Sequence, residues 1–142
     1  MKLDFELVPD GCWYSNLRSI LSKEAWDFVR KDAYARADGK CMICGTVSSR
    51  LEAHEKWDYD EESGIQKLTD VLAICKDCHA VIHIGRTSLK GDESAACEHY
   101  MKVNGASYAE YRRALGEANR RHQSLNRVSE WALDLTWLKR YT

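Results

Sequence analysis

A single proline, Pro9, interrupts the 142 residues of the chain, and no stretch rich in glycine, serine or proline sets one part apart from another. The sequence therefore offers no linker, and without internal repeats it reads as one domain over 1–142. Long apolar runs are missing too: nothing approaches the ~18 consecutive residues of a membrane-crossing helix. The opening stretch MKLDFELVPDGC lacks the apolar core of a secretory signal, which predicts a reducing, cytoplasmic setting. Neither sign of charge is in excess, with 21 Lys plus Arg against 22 Asp plus Glu. This balance neither demands nor excludes a polyanionic partner, and it speaks against avid nucleic-acid binding.

Cysteine, by contrast, is present and organised. Cys41/Cys44 and Cys75/Cys78 are two Cys-x-x-Cys pairs, and the second runs directly into His79 and, one helical turn later, His83. Four thiolates in two knuckles match the closed, all-sulfur tetrahedron preferred by a structural zinc ion. Gly45 follows the first pair, where the backbone must turn back. The competing reading, two disulfides, requires an oxidising compartment for which the sequence gives no sign. A structural Zn2+ on Cys41, Cys44, Cys75 and Cys78 is therefore expected, with Cys12 and Cys97 as ordinary free thiols.

The first 20 residues read as an irregular arm anchored by Trp13, Tyr14, Leu17, Ile20 and Leu21. Ser22 is placed to cap a helix with Trp26, Val29, Ala33 and Ala37 along one stripe, closed by Gly39 before the first knuckle. Residues 49–54 and 68–74 read as short strands around an acidic connection, 58–62, with a turn at Ser63-Gly64. A helix over 77–84 then opens within the second knuckle. A knuckle, a hairpin and a helix carrying the last two thiolates make a treble clef, so the fold class expected is α+β with a zinc-stapled core at 39–85. The remainder, 86–142, reads as a helical extension: a polar stretch over 86–92, a helix over 93–103, and a longer one from the capping box Ser107-x-x-Glu110 to Gln123. It closes with a strand in which Trp131, Leu133, Leu135 and Trp137 alternate with Ala132, Asp134 and Thr136.

His79 and His83, four apart on a helix, project from one face. In a treble clef the strand after the first knuckle lies against this helix, directing His54 towards both. Neutral imidazole can take a proton from water near neutral pH, and a metal ion beside it can hold a phosphate and stabilise a leaving oxygen. The plain alternative is that these are structural histidines.

Taken together, Cys41-Met42-Ile43-Cys44-Gly45, the strand ending in His54, the apolar run 71–74 and Cys75-Lys76-Asp77-Cys78-His79 with His83 resemble the zinc-knuckle branch of the HNH nucleases, over roughly residues 39–85. The pieces 13–18, 54–60 and 83–86 also look like small bacterial and phage HNH-like proteins. The resemblance implies a ββα-metal core that hydrolyses DNA phosphodiesters with a catalytic divalent ion, Mg2+ or Mn2+. It makes His54 the general base and His83, with His79, the holder of that ion. Ala53 stands where the family places a ligand, so Glu52 is the expected substitute, with Glu55, Asp58 and Asp60 as further choices. Asp70 falls near the family's asparagine and is expected to orient the base. Arg86, Lys90, Arg112 and Arg113 are the expected nucleic-acid contacts, through phosphate. The alternative function is a catalytically inactive module that presents a zinc-stabilised surface to a nucleic acid or a protein partner.

Overall fold

The computed structural model describes residues 2–142. Helix α1, Leu17–Ile20, is one turn long, and α2, Lys23–Ala37, begins where expected. The Ser22 side chain accepts from the Ala25 N–H at 3.1 Å, and the buried stripe is Trp26, Val29, Ala33 and Ala37. Asp38 enters the left-handed region at φ 51°, and Gly39 follows at φ 78°. Two left-handed residues in succession end the helix and aim the chain into the first knuckle.

Strands β1, Glu52–Asp60, and β2, Ile65–Ile74, form an antiparallel hairpin, and β3, Ala132–Asp134, lies parallel to β2 on its outer edge. The hairpin is longer than the sequence suggested. Most of the expected acidic connection is strand, and the turn is confined to 61–64. Gly64, at φ 68°, is required there, since a Cβ would stand 3.1 Å from the Glu130 carbonyl. A register shift between Lys56 and Trp57 breaks the alternation of the sheet. It places Leu68 with Val71 and Ala73 in the cluster under α2, while Leu72 and Ile74 join the cluster on the other side. The run 71–74 is thus buried on both faces, which explains its unbroken apolar character.

Helices α3, Lys76–Ile82; α4, Ile84–Leu89; α5, Glu93–Asn104; and α6, Tyr108–Leu125, complete the mixed α+β architecture. Helix α4 occupies part of the stretch expected to be polar coil. The capping box at Ser107 and Glu110 forms in full. The terminal segment departs from expectation: the strand stops after three residues, and Thr136–Tyr141 is a 3-10 helix. Its cause is local, since Asp134 Oδ1 accepts from the Thr136 N–H at 3.0 Å and turns the chain away from the sheet. Leu133 is left exposed.

The amino-terminal arm packs as expected through Leu17 and Leu21, but not through its other named anchors. Trp13 and Tyr14 are exposed, whereas Leu3 and Phe5 are buried. Phe5 stacks on Tyr100 with centroids 5.1 Å apart and meets Tyr111 edge-on. The Asn104 amide brackets Leu3, accepting from its N–H at 3.0 Å and donating to its carbonyl at 2.8 Å. The Glu6 N–H donates to the carbonyl of Ile82 at the end of α3, at 2.9 Å. Backbone and side chain together therefore fix where Glu6 points. Among the described residues, no helix is long and apolar enough to cross a membrane.

Candidate functional site

Helix α3 connects two clusters of potential metal ligands. At its start, Cys41, Cys44, Cys75 and Cys78 bring four sulfurs within 4.8 Å of one another. The Cys41–Cys78 and Cys44–Cys75 sulfurs are each 3.8 Å apart. A zinc–sulfur bond of about 2.3 Å in a regular tetrahedron gives a sulfur–sulfur edge of about 3.8 Å, so the pocket has the dimensions of a zinc site. A disulfide, at about 2.0 Å between sulfurs, is not what this spacing describes, and all six cysteines are free. The two knuckles repeat one local geometry. The Cys44 N–H points to the Cys41 sulfur at 3.5 Å, and the Cys78 N–H to the Cys75 sulfur at 3.4 Å. Such N–H groups support negative charge on sulfur.

Burial pushes the Cys75 thiol up to about 11 and raises that of Cys78 further. For Cys44 burial also acts upward, but hydrogen bonding from Thr46 and from neighbouring thiols outweighs it, leaving about 7. Four sulfurs this close, three of them on buried residues, ionise together only if a cation joins them, and the donor set is one that can hold a structural zinc. His99 was missed by sequence reasoning. Its Nε2 lies 3.2 Å from the Cys78 sulfur, and as an N–H donor it would steady a zinc-bound thiolate from outside the coordination shell. Its only signal in the sequence is that it lies on a helix whose contact with α3 spacing does not reveal.

His79 projects from the middle of α3 and His83 from its C-terminal cap, with His54 facing them from β1. Ring centroids are 5.4 Å apart for His54–His79, 5.4 Å for His54–His83 and 4.7 Å for His79–His83, and their donor atoms lie within 4.8 Å of one another. Each ring is set by its surroundings. His54 is buried and its Nε2 contacts the Glu6 carboxylate, while the other oxygen of Glu6 accepts from the Trp57 N–H at 3.4 Å. An ionised carboxylate only accepts, so Nε2 is the donor in this contact, and whenever the ring is neutral its lone pair lies at Nδ1. His79 Nδ1 lies 2.7 Å from Glu52 Oε1, which by the same reasoning leaves the Nε2 lone pair of His79 free. Burial lowers His79, with Glu52 opposing and His54 adding to the shift. Burial, then the charges of His79, His54 and Arg86, bring His83 down to about 3. His83 is therefore neutral throughout the physiological range.

The other expected site residues divide. Glu52 reaches the cluster through His79 and is not one of the three convergent donors. Asp70 does not reach His54: its Oδ1 accepts from the Val71 N–H at 2.8 Å and lies 3.9 Å from the Arg36 guanidinium of α2. It was expected there from its place near the family's asparagine, and in the sheet it lies opposite Lys56, beside the register shift. The residue on His54 is Glu6, 48 positions away, which no local pattern could have indicated. Glu55 accepts from the Leu17 N–H at 2.7 Å, and Asp60 from the N–H groups of Glu62 and Ser63 in the turn. Ala53 packs towards α2.

The three imidazoles line a cleft of about 880 Å³ together with Trp13, Arg18 and Arg86. Of the expected nucleic-acid contacts, only Arg86 is on this wall. Lys90, Arg112 and Arg113 are exposed and lie outside it, because α6 turns Tyr111 inward onto Phe5 and Tyr100 and leaves its arginines in solvent. Comparison of the chain with protein-family models, curated proteins and solved structures gave no match.

Proposed function

We propose that the protein is a metal-dependent endonuclease of HNH type that hydrolyses DNA phosphodiesters, built on a zinc-stapled treble clef. The observation that supports this best is the convergence of His54, His79 and His83 across a strand and a helix that starts in the four-cysteine cluster. In this reading His54 is the general base. Glu6 holds its Nε2 proton, and the free Nδ1 accepts a proton from the attacking water. His79 and His83 hold a divalent ion, with Glu52 fixing the tautomer of His79. A bound divalent ion would supply a Lewis acid for the phosphate oxygen and offset charge on the leaving oxygen. Two imidazole nitrogens in the ligand set favour an ion such as nickel or zinc over magnesium, which prefers oxygen.

The test is nicking of supercoiled plasmid with magnesium, manganese, nickel or zinc added to the zinc-loaded protein. Cleavage is expected with a nitrogen-preferring ion. His54→Ala should lower the rate by about 10²–10⁴-fold, the usual weight of a positioned acid–base group. Undiminished cleavage by His54→Ala removes the base from the mechanism. One observation favours a second reading, an inactive binding module: the backbone position before His54 offers only the Ala53 methyl group, turned towards α2. Absence of cleavage with every ion, beside retained DNA binding, would establish that reading instead.

A further inference from the structure

We infer that the cleft beside the imidazoles receives an unstacked nucleobase, so that the preferred substrate is single-stranded or locally opened DNA and not an intact duplex. This deepens the nuclease reading and rests on it for the placement of the phosphate. A duplex offers a convex ridge of phosphates, and a shallow basic surface suffices to meet it. The cavity here is different. At about 880 Å³ it is a concave site large enough to engulf a drug-sized ligand, and its walls are aromatic as well as basic.

Trp13 lines the cleft with 61% of its surface exposed. The Trp13 indole N–H donates to the Val8 carbonyl at 3.3 Å, which orients the ring while leaving a face open. Arg18 and Arg86 line the same cavity, and neither is within ion-pair distance of a carboxylate among the described residues. The two carboxylates on the wall are both engaged, Glu6 with His54 and Glu55 with the Leu17 N–H. The inner wall carries a further mark. The Trp26 indole N–H, the Tyr59 hydroxyl and the Gln66 carbonyl oxygen are buried without a hydrogen-bond partner among the described residues, and all three residues line this cavity. These three atoms are themselves closed off from the cleft, so they are not contacts offered to a ligand. An open aromatic face and two unpaired cations in a concave site, adjoining three imidazoles suited to a phosphate, together describe a nucleotide whose base has left its stack.

The experiment measures binding without added second metal, so that no strand is cut. Fluorescence anisotropy is read for a labelled 12-nucleotide single strand of DNA, its RNA equivalent and the DNA duplex, using zinc-loaded protein. The single strands should bind about ten-fold more tightly than the duplex. Trp13→Ala should weaken single-strand binding about ten-fold, as expected for one base–aromatic stack, without changing duplex binding or the melting temperature, and Trp13→Phe should restore most of the loss. Arg86→Gln should weaken single strand and duplex alike. Equal affinity for single strand and duplex overturns the inference, as does a Trp13→Ala loss shared by both or unrescued by phenylalanine. Binding that follows the expected pattern while plasmid nicking fails leaves the base site standing and discards the nuclease. Nicking without strand preference does the reverse.

Discussion

Helix α3 serves two clusters of side chains that metal sites commonly use, one of sulfur and one of nitrogen, and the two are arranged differently. In the sulfur cluster every donor faces another donor, the backbone N–H groups point inward, and three of the four residues are buried. In the nitrogen cluster the imidazoles converge but border a cleft, and two of them spend one nitrogen on a carboxylate, which leaves the other free. A closed set of donors holds a fold together. A set that borders open space, with its tautomers fixed by neighbours, is arranged to meet something that arrives from outside.

The contrast is broken most severely in the sulfur cluster. Cys78→Ser should abolish the cooperative thermal transition and bound zinc together, because a structural zinc supplies on the order of 10 kcal/mol or more in small metal-dependent domains. Melting curves and elemental analysis read both. In the nitrogen cluster, Glu6→Gln should lower nicking by about 10–100-fold, in line with loss of a carboxylate that orients an imidazole, while the melting temperature moves little. A smaller effect concerns acid. His83 is held at about 3 in the folded chain, against about 6.5 for a free histidine. The unfolded chain therefore takes up this proton first, so the contribution of the neutral ring is complete above about pH 6.5 and is lost progressively as pH falls towards 3. Denaturant titrations without added second ion should show a flatter loss of stability in acid for His83→Gln than for the unaltered chain. The smallest change is expected for Asp70→Asn. Its partner Arg36 is partly exposed, so stability should shift by under about 1 kcal/mol and nicking should not change, whereas a fall in nicking would return Asp70 to the site.

Much of this was readable before the fold was seen, for definite physical reasons. Cys-x-x-Cys spacing is set by the reach of two sulfurs around one ion, and His79 and His83 by the pitch of a helix, so local sequence carries both. The capping residues Ser22 and Ser107 act within three positions and were equally plain. Glu6 and His99 were not readable, since each meets its partner only through tertiary packing, across 48 and 21 positions. Asp70 was placed by its nearness to the family's asparagine, which carries no information on the register shift that sets it opposite Lys56 and near Arg36. The terminal strand was overextended for a related reason: period-two patterning continues through Trp137, but a hydrogen bond to the Asp134 side chain redirects the backbone first. Trp13 and Tyr14 show the limit of hydrophobicity as a guide, since both stay in solvent while Leu3 and Phe5 anchor the arm.

The clasp between Leu3 and Asn104 spans 101 positions. A chain emerging from the ribosome can close its sulfur knuckles once Cys78 is free, and the Ile82 carbonyl that receives the Glu6 N–H follows within four residues, whereas the Leu3 clasp must wait for the end of α5. The amino-terminal arm is therefore secured at both ends only when α5 is complete, and a shorter chain holds Glu6 through Ile82, His54 and Trp57 alone.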